Sequence, residues 1–134
     1  MADFYIERRI YYHHTDAGGV VYYANYLGLL EEARHEFCRQ KGIDLIGYSQ
    51  KGILFPVVHI EVDYKAPARY GDTVIIFTRV DKLRNASIHF LQEIKKQDIV
   101  LLVAKVVVAC IDGDFKARLV PDEMRQLFLC DNRG

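Results

Sequence analysis

The chain has 134 residues, 51% of them hydrophobic, a length and content that fit one domain, 1–134, with one modest core. Its 18 Lys+Arg balance 18 Asp+Glu. Zero net charge argues against nonspecific nucleic-acid binding, which needs a net basic field, but leaves room for a local basic patch that holds a phosphorylated ligand.

The pattern predicts a first strand from about Phe4 to Tyr12, with Ile6, Ile10 and Tyr12 on one face and Arg8 interrupting it. The passage HHTDAGGVVYYANY follows, in which Gly18 and Gly19 permit backbone angles closed to other residues. A long helix is expected next. Tyr26, Leu30, Ala33 and Phe37 fall on one stripe, and Glu31, Glu32, Arg34, His35 and Arg39 supply most of the polar faces. Asn25 reads as its cap and Gly42 as its stop.

Four strands should follow. Val58, Ile60, Val62 and Tyr64 alternate with His59, Glu61, Asp63 and Lys65, the clearest period of two in the chain. Ala66 to Asp72 contains Pro67 and Gly71 and reads as a turn. Val74–Leu83, Ser87–Lys95 and Ile99–Ile111 are then strands, separated by turns at Arg84-Asn85 and Gln97-Asp98. Pro121, Asp122 and Glu123 suggest a short final helix, with proline at its first position and acids at its positive end. This order is α+β, with a long helix against an antiparallel sheet. One helix covers only one sheet face, so the other face and the edges call for a partner, and a homodimer is expected.

The N-terminus MADFYIERRI has no apolar signal segment, and no helical stretch carries the ~20 apolar residues of a membrane span. Cys38, Cys110 and Cys130 form no CxxC pair and no metal-ligand spacing. Free, mostly buried thiols in a cytoplasmic protein are the plain reading.

Asp16 is the first candidate for chemistry. It lies between a strand and a helix start, where free N–H groups can stabilise an oxyanion and a carboxylate can attack a carbonyl or activate water. The competing reading is a turn aspartate satisfying local backbone donors. His13 and His14 sit close by, but neighbours on a strand point to opposite faces and no third ligand is spaced for a metal. His59 and His89 fall on the face opposite the apolar residues. Cys38 reads as a packed helix cysteine rather than a nucleophile. No phosphate-binding GxxxxGK[ST] loop, GxGxxG fingerprint or GxSxG elbow is present.

The stretch YYHHTDAGGVVYYANYLGLLEEARHEF resembles the signature of the 4-hydroxybenzoyl-CoA thioesterase family of hotdog proteins. It is most similar to the Tol-Pal-associated, YbgC-like acyl-CoA thioesterases. VDYKAPARYGD (62–72) and LRNASIHFLQEI (83–94) agree with the same family, so the resemblance spans nearly the whole chain. It implies a hotdog fold, a long central helix wrapped by a curved antiparallel sheet, in homodimers or dimers of dimers with sites at the dimer interface. It implies hydrolysis of an acyl-CoA thioester in the cytoplasm, without metal or cofactor.

By the resemblance, Asp16 takes the catalytic position and Tyr23 the position whose backbone N–H polarises the thioester carbonyl. Gly18 and Gly19 match the loop that admits substrate. Val58, His59 and Ile60 match the strand bordering the partner's substrate channel, and Arg84 and Ser87 match positions near the pantetheine and phosphate groups. One departure stands out: His13 and His14 stand where residues are commonly acidic in this group. Tyr23 is an accepted variant at a position where histidine is frequent. Asn85 and Ala86 stand where some relatives are basic, which turns attention to Lys82, Lys116 and Arg118 for the phosphates. Two other readings remain: a noncatalytic acyl-CoA-binding or scaffolding protein of the cell envelope, and dehydration of an acyl-carrier-protein substrate, a chemistry that uses a helix histidine with a carboxylate and whose pattern the surroundings of His35 do not match. Acyl carrier protein is also an alternative thioester donor for the hydrolase.

Overall fold

The structure is a computed structural model and describes residues 3–130. Five strands make one antiparallel sheet: β1 (Tyr5–Arg9), β2 (Val57–Tyr64), β3 (Thr73–Leu83), β4 (Ser87–Lys96) and β5 (Ile99–Ala109). The spatial order is β1-β3-β4-β5-β2, so β1 and β2 are the two edges. Helix α1 (Asn25–Gln40) packs across β1 and β3, α2 (Leu45–Gln50) follows it, and α3 (Asp122–Leu129) closes the chain.

Alternation decides which face is covered. Val74, Ile76 and Thr78 of β3, Ile88, Phe90, Gln92 and Ile94 of β4, and Leu102, Ala104, Val106 and Val108 of β5 are buried, while their neighbours, apart from the buried Leu101, are more exposed. The predicted helix stripe of Tyr26, Leu30, Ala33 and Phe37 is buried against this face. Phe37 meets Phe4, Phe90 and Phe128, which fixes α3 beside the end of α1. Register breaks at Val57/His59, Val80/Lys82 and Ile94/Lys95 bend the strands.

Several sequence expectations change. The first strand stops at Arg9, and Tyr12–His14 is a single 3₁₀ turn, which leaves Tyr12 76% exposed rather than on the face of Ile6 and Ile10. Ile10 N–H already bonds the Asp72 carbonyl, and the chain then turns away from the sheet. Asn25 is the first helical residue and does not cap; Ala24 precedes it without a side-chain cap. Arg34, assigned to a polar face, is buried. Pro121 caps α3 from outside instead of occupying its first turn. Helix α2 was not predicted: it is too short for a periodic signal, and its Asp44 cap accepts from Gly47 N–H (3.0 Å).

The segment read as a turn between β2 and β3 is a crossover, because those strands are separated by β5 and β4. Lys65 and Ala66 N–H groups bond the Leu101 carbonyl at one side, and Gly71 N–H, at φ +90°, bonds Ile10 at the other. Between them Ala68 is fully buried, its N–H on the Tyr26 hydroxyl (2.9 Å). This crossing chain is the floor on which the loop before α1 rests.

Candidate active site

The loop is a small hairpin. Thr15 pairs with Val21, Asp16 N–H donates to Val20 O (2.9 Å), and Tyr22 N–H donates to His14 O (2.9 Å). The crossover holds it through Val21 N–H to Ala68 O (2.9 Å) and a Val20–Arg69 bridge. Asn25 Nδ2–H donates to His14 O (2.8 Å), so its amide ties the loop to the first turn of α1.

Asp16 is exposed at the hairpin tip. Gly18 N–H donates to its Oδ1 (2.8 Å) and Gly19 N–H to its carbonyl (3.0 Å). Gly19 sits at φ +77°, where a side chain would strain the backbone. The local-turn role and a chemical role are compatible, since Oδ2 accepts no bond among the described residues. Tyr23 lies further along, toward α1. Its ring is 62% exposed and packs on Tyr22, and its carbonyl accepts from the Tyr64 hydroxyl (3.0 Å). Among the described residues its N–H has no acceptor, the condition for a free donor at a helix start.

His13 and His14 are not on a strand. The 3₁₀ turn sets their rings 4.0 Å apart, which removes the geometric argument used against their acting together. Even so, among the described residues no three His, Cys, Asp or Glu side chains gather to hold a metal. His14 Nδ1 accepts from Tyr11 N–H (2.8 Å), which requires the unprotonated nitrogen. Burial first, and then His13, lowers the His14 pKa, with Glu32 opposing.

The remaining predicted residues lie elsewhere. Val58 is 60% exposed on the β2 edge, Ile60 is half-buried, and His59 is exposed and paired with Glu61 (3.1 Å). His59 and His89 both lie opposite Val107, so one row crosses three strands. Ser87 Oγ lies 3.3 Å from His89 Nε2. Burial first, then Arg84 and Lys82, lowers the His89 pKa, so these cations share one neighbourhood. Arg118 joins it through its N–H to the Cys110 carbonyl, while Cys110 N–H donates to Ala86 O. Lys116 N–H bonds the Asp112 carboxylate in the adjoining loop. His89 escaped selection because its strand position alone looked solvent-facing; its basic neighbours come from other segments.

The chain therefore holds two clusters. Asp16, Gly18, Gly19 and Tyr23 lie at the Tyr64 end of β2, and Val58, His59, Ile60, Arg84 and Ser87 lie at the other end. Val58 and Tyr64 are six residue steps apart along the strand, roughly 20 Å.

The profile of the thioesterase-like superfamily matches residues 12–128. The chain belongs to this superfamily of hotdog enzymes. Among its relatives, the acyl-CoA thioesterase YbgC of Haemophilus influenzae is 35% identical, with 90% of each chain covered. The acyl-CoA thioester hydrolase YbgC of Escherichia coli O6:H1 is 38% identical, covering 84% of this chain and 86% of that one. A probable thioesterase from Bartonella henselae shares the fold at a TM-score of 0.85 and 33% identity, covering 90% of this chain and all of that one.

Proposed function

We propose that this protein hydrolyses acyl-CoA thioesters, with Asp16 as the nucleophile or general base and the Tyr23 amide as the oxyanion donor. The observation that carries this reading is an exposed carboxylate in the hairpin and, on the same loop just before a 16-residue helix, an N–H without an acceptor among the described residues. The helix adds its positive end to the charge that develops on the carbonyl oxygen. Asp16 attacks the carbonyl carbon to give a mixed anhydride, which water then cleaves, or it removes a proton from the attacking water. The carbon–sulfur bond breaks and CoA leaves as thiolate, a good leaving group that needs no strong general acid.

A homodimer built on β2 completes this site. The strand is an open edge with Val57 and Val58 exposed. Antiparallel pairing of two copies would lay Val58, His59 and Ile60 of one protomer against the Tyr64 end of the other, beside its Tyr23. The basic neighbourhood of Lys82, Arg84 and Arg118, with Ser87 and His89, then faces the CoA phosphates and pantetheine. Pairing two dimers would cover the outer sheet faces.

The test is release of free thiol from acyl-CoAs running from acetyl to palmitoyl, with benzoyl included, by the wild type and by Asp16→Asn. Release by the wild type alone supports the assignment and ranks the substrates. Equal release by both would overturn the role of Asp16. Silence from two folded proteins would overturn acyl-CoA hydrolysis and favour an acyl-carrier-protein substrate or a binding role. Light scattering tests the dimer, and a monomer at working concentration would sink the shared site.

A further inference from the structure

The Tyr23 N–H lies between two peptide groups, and both are held. The peptide it belongs to has Tyr22 as its carbonyl, which accepts from Asn25 N–H (2.8 Å). The next peptide has the Tyr23 carbonyl, which accepts from the Tyr64 hydroxyl (3.0 Å). In a regular α-helical turn that carbonyl would serve Leu27 N–H, four residues on. Leu27 N–H bonds the Ala24 carbonyl instead (3.1 Å), a tighter first turn that leaves the Tyr23 carbonyl to a side chain from β2. With both flanking carbonyls engaged, the planes on either side of the Tyr23 α-carbon are fixed and the N–H between them stays open.

The hydroxyl that does this stands on a rigid support. Tyr64 ends β2 opposite the fully buried Leu102, and the next two N–H groups, of Lys65 and Ala66, bond the Leu101 carbonyl. The Tyr64 ring lies 5.7 Å from the Tyr26 ring, inclined at 56°. Tyr26 is itself buried, with its hydroxyl on Ala68 N–H, and the Ala68 carbonyl accepts from Val21 N–H in the hairpin. The sheet therefore holds Tyr64 at its base and Tyr26 holds it along its side. Burial, then Tyr26 and Tyr23, raises the Tyr64 pKa, so the hydroxyl keeps the proton it donates. Aim is what such a donor needs: an oxyanion site works only where its N–H points at the oxygen, and a misplacement of about 1 Å can cost about 10²-fold in rate.

We propose that Tyr64 is the positioning residue of the oxyanion site, its hydroxyl aiming the Tyr23 N–H through the Tyr23 carbonyl. This rests on the acyl-CoA hydrolysis proposed above and adds to it a residue from the edge strand, 41 positions from the amide it orients. Tyr64 acts through the backbone and not on the substrate, so its removal should slow the chemical step without weakening binding.

Tyr64→Phe keeps the ring on Tyr26 and removes the hydroxyl alone. On whichever acyl-CoA of the panel turns over fastest, kcat should fall about tenfold with KM unchanged, the scale of one neutral hydrogen bond and short of the roughly 10²–10³ for losing an oxyanion donor outright. The Tyr23 and Ala24 amide signals in NMR spectra should move in this variant while that of Val21, on Ala68, stays in place; this readout needs no turnover. Gln92→Leu, which weakens the fold away from the loop, should leave kcat per folded molecule unchanged, and light scattering should give Tyr64→Phe the wild-type mass. Wild-type kcat in Tyr64→Phe beside an inactive Asp16→Asn would overturn the role of Tyr64 alone. So would a loss carried by KM, a loss equalled in Gln92→Leu, a changed mass, or unmoved Tyr23 and Ala24 signals. Silence from the folded wild type would remove the reaction and this proposal together.

Discussion

The first turn of α1 and its middle obey opposite rules. At its start the helix emerges from an exposed hairpin, with no side-chain cap, a free Tyr23 amide and an Asp16 carboxylate half used. Ten residues on, Arg34 and the Leu30 carbonyl are locked to β4 through Gln92, and Gln92 to β3 through Thr78, with every buried side-chain polar atom satisfied among the described residues. The middle is satisfied because an unmade bond there, away from water, would cost about 1–3 kcal/mol. The start can leave donors open because water or a ligand can reach them. Reactivity and fold specification thus occupy one helix without competing.

Four variants would sharpen or break that contrast. Asp16→Asn has the largest expected effect: turnover should fall by about 10²–10⁴ with the melting temperature unchanged, the range for losing a positioned acid–base group. A matching loss of stability would mean that Asp16 is chiefly a turn residue. Gln92→Leu should do the reverse. Leaving the buried Arg34 without its acceptor should destabilise by about 3 kcal/mol, read by urea melts, while activity per folded molecule persists. Gly19→Ala meets no atom within 4 Å but places a side chain at φ +77°, so about 1 kcal/mol should be lost from backbone strain alone. Tyr23→Phe should change kcat/KM least, because the proposed donor is the amide and the hydroxyl is exposed. A large loss would move the role to the side chain.

Acid should act on the loop and not on the middle of the helix. The His14 pKa is lowered by burial and His13 from an ordinary value of 6.5, so the folded state favours the neutral ring. Its contribution to stability is whole above pH 6.5 and is lost as pH falls through the lowered folded value. Protonation of Nδ1 also removes the acceptor for Tyr11 N–H. Melting temperatures from pH 8 to 5 should therefore fall further for the wild type than for His14→Asn. Parallel curves would remove His14 as the loop's acid-sensitive anchor.

Which elements could be read in advance followed from periodicity and turn chemistry. The stripe of Tyr26, Leu30, Ala33 and Phe37 and the alternation along β2 are local patterns, and both elements formed as expected. The loop residues Asp16, Gly18 and Gly19 were legible because glycines beside a carboxylate mark a special backbone, and their quoted motif added the family. Asn25 misled because a good cap residue can spend its amide on a distant carbonyl, here that of His14. Arg34 misled because charge normally signals a solvated face, and its partner Gln92 lies 58 positions away.

By itself, then, the sequence determined the long helix and most of the strands, the α+β class, the family and a glycine loop with its carboxylate, since each is carried by neighbours along the chain. Only the tertiary structure decided that β2 crosses to the far edge, that the predicted binding residues fall at opposite ends of that strand, and that Arg34 is buried on Gln92. Those are long-range outcomes. They depend on which strands pair and on what a buried group finds beside it, and no local periodicity records either.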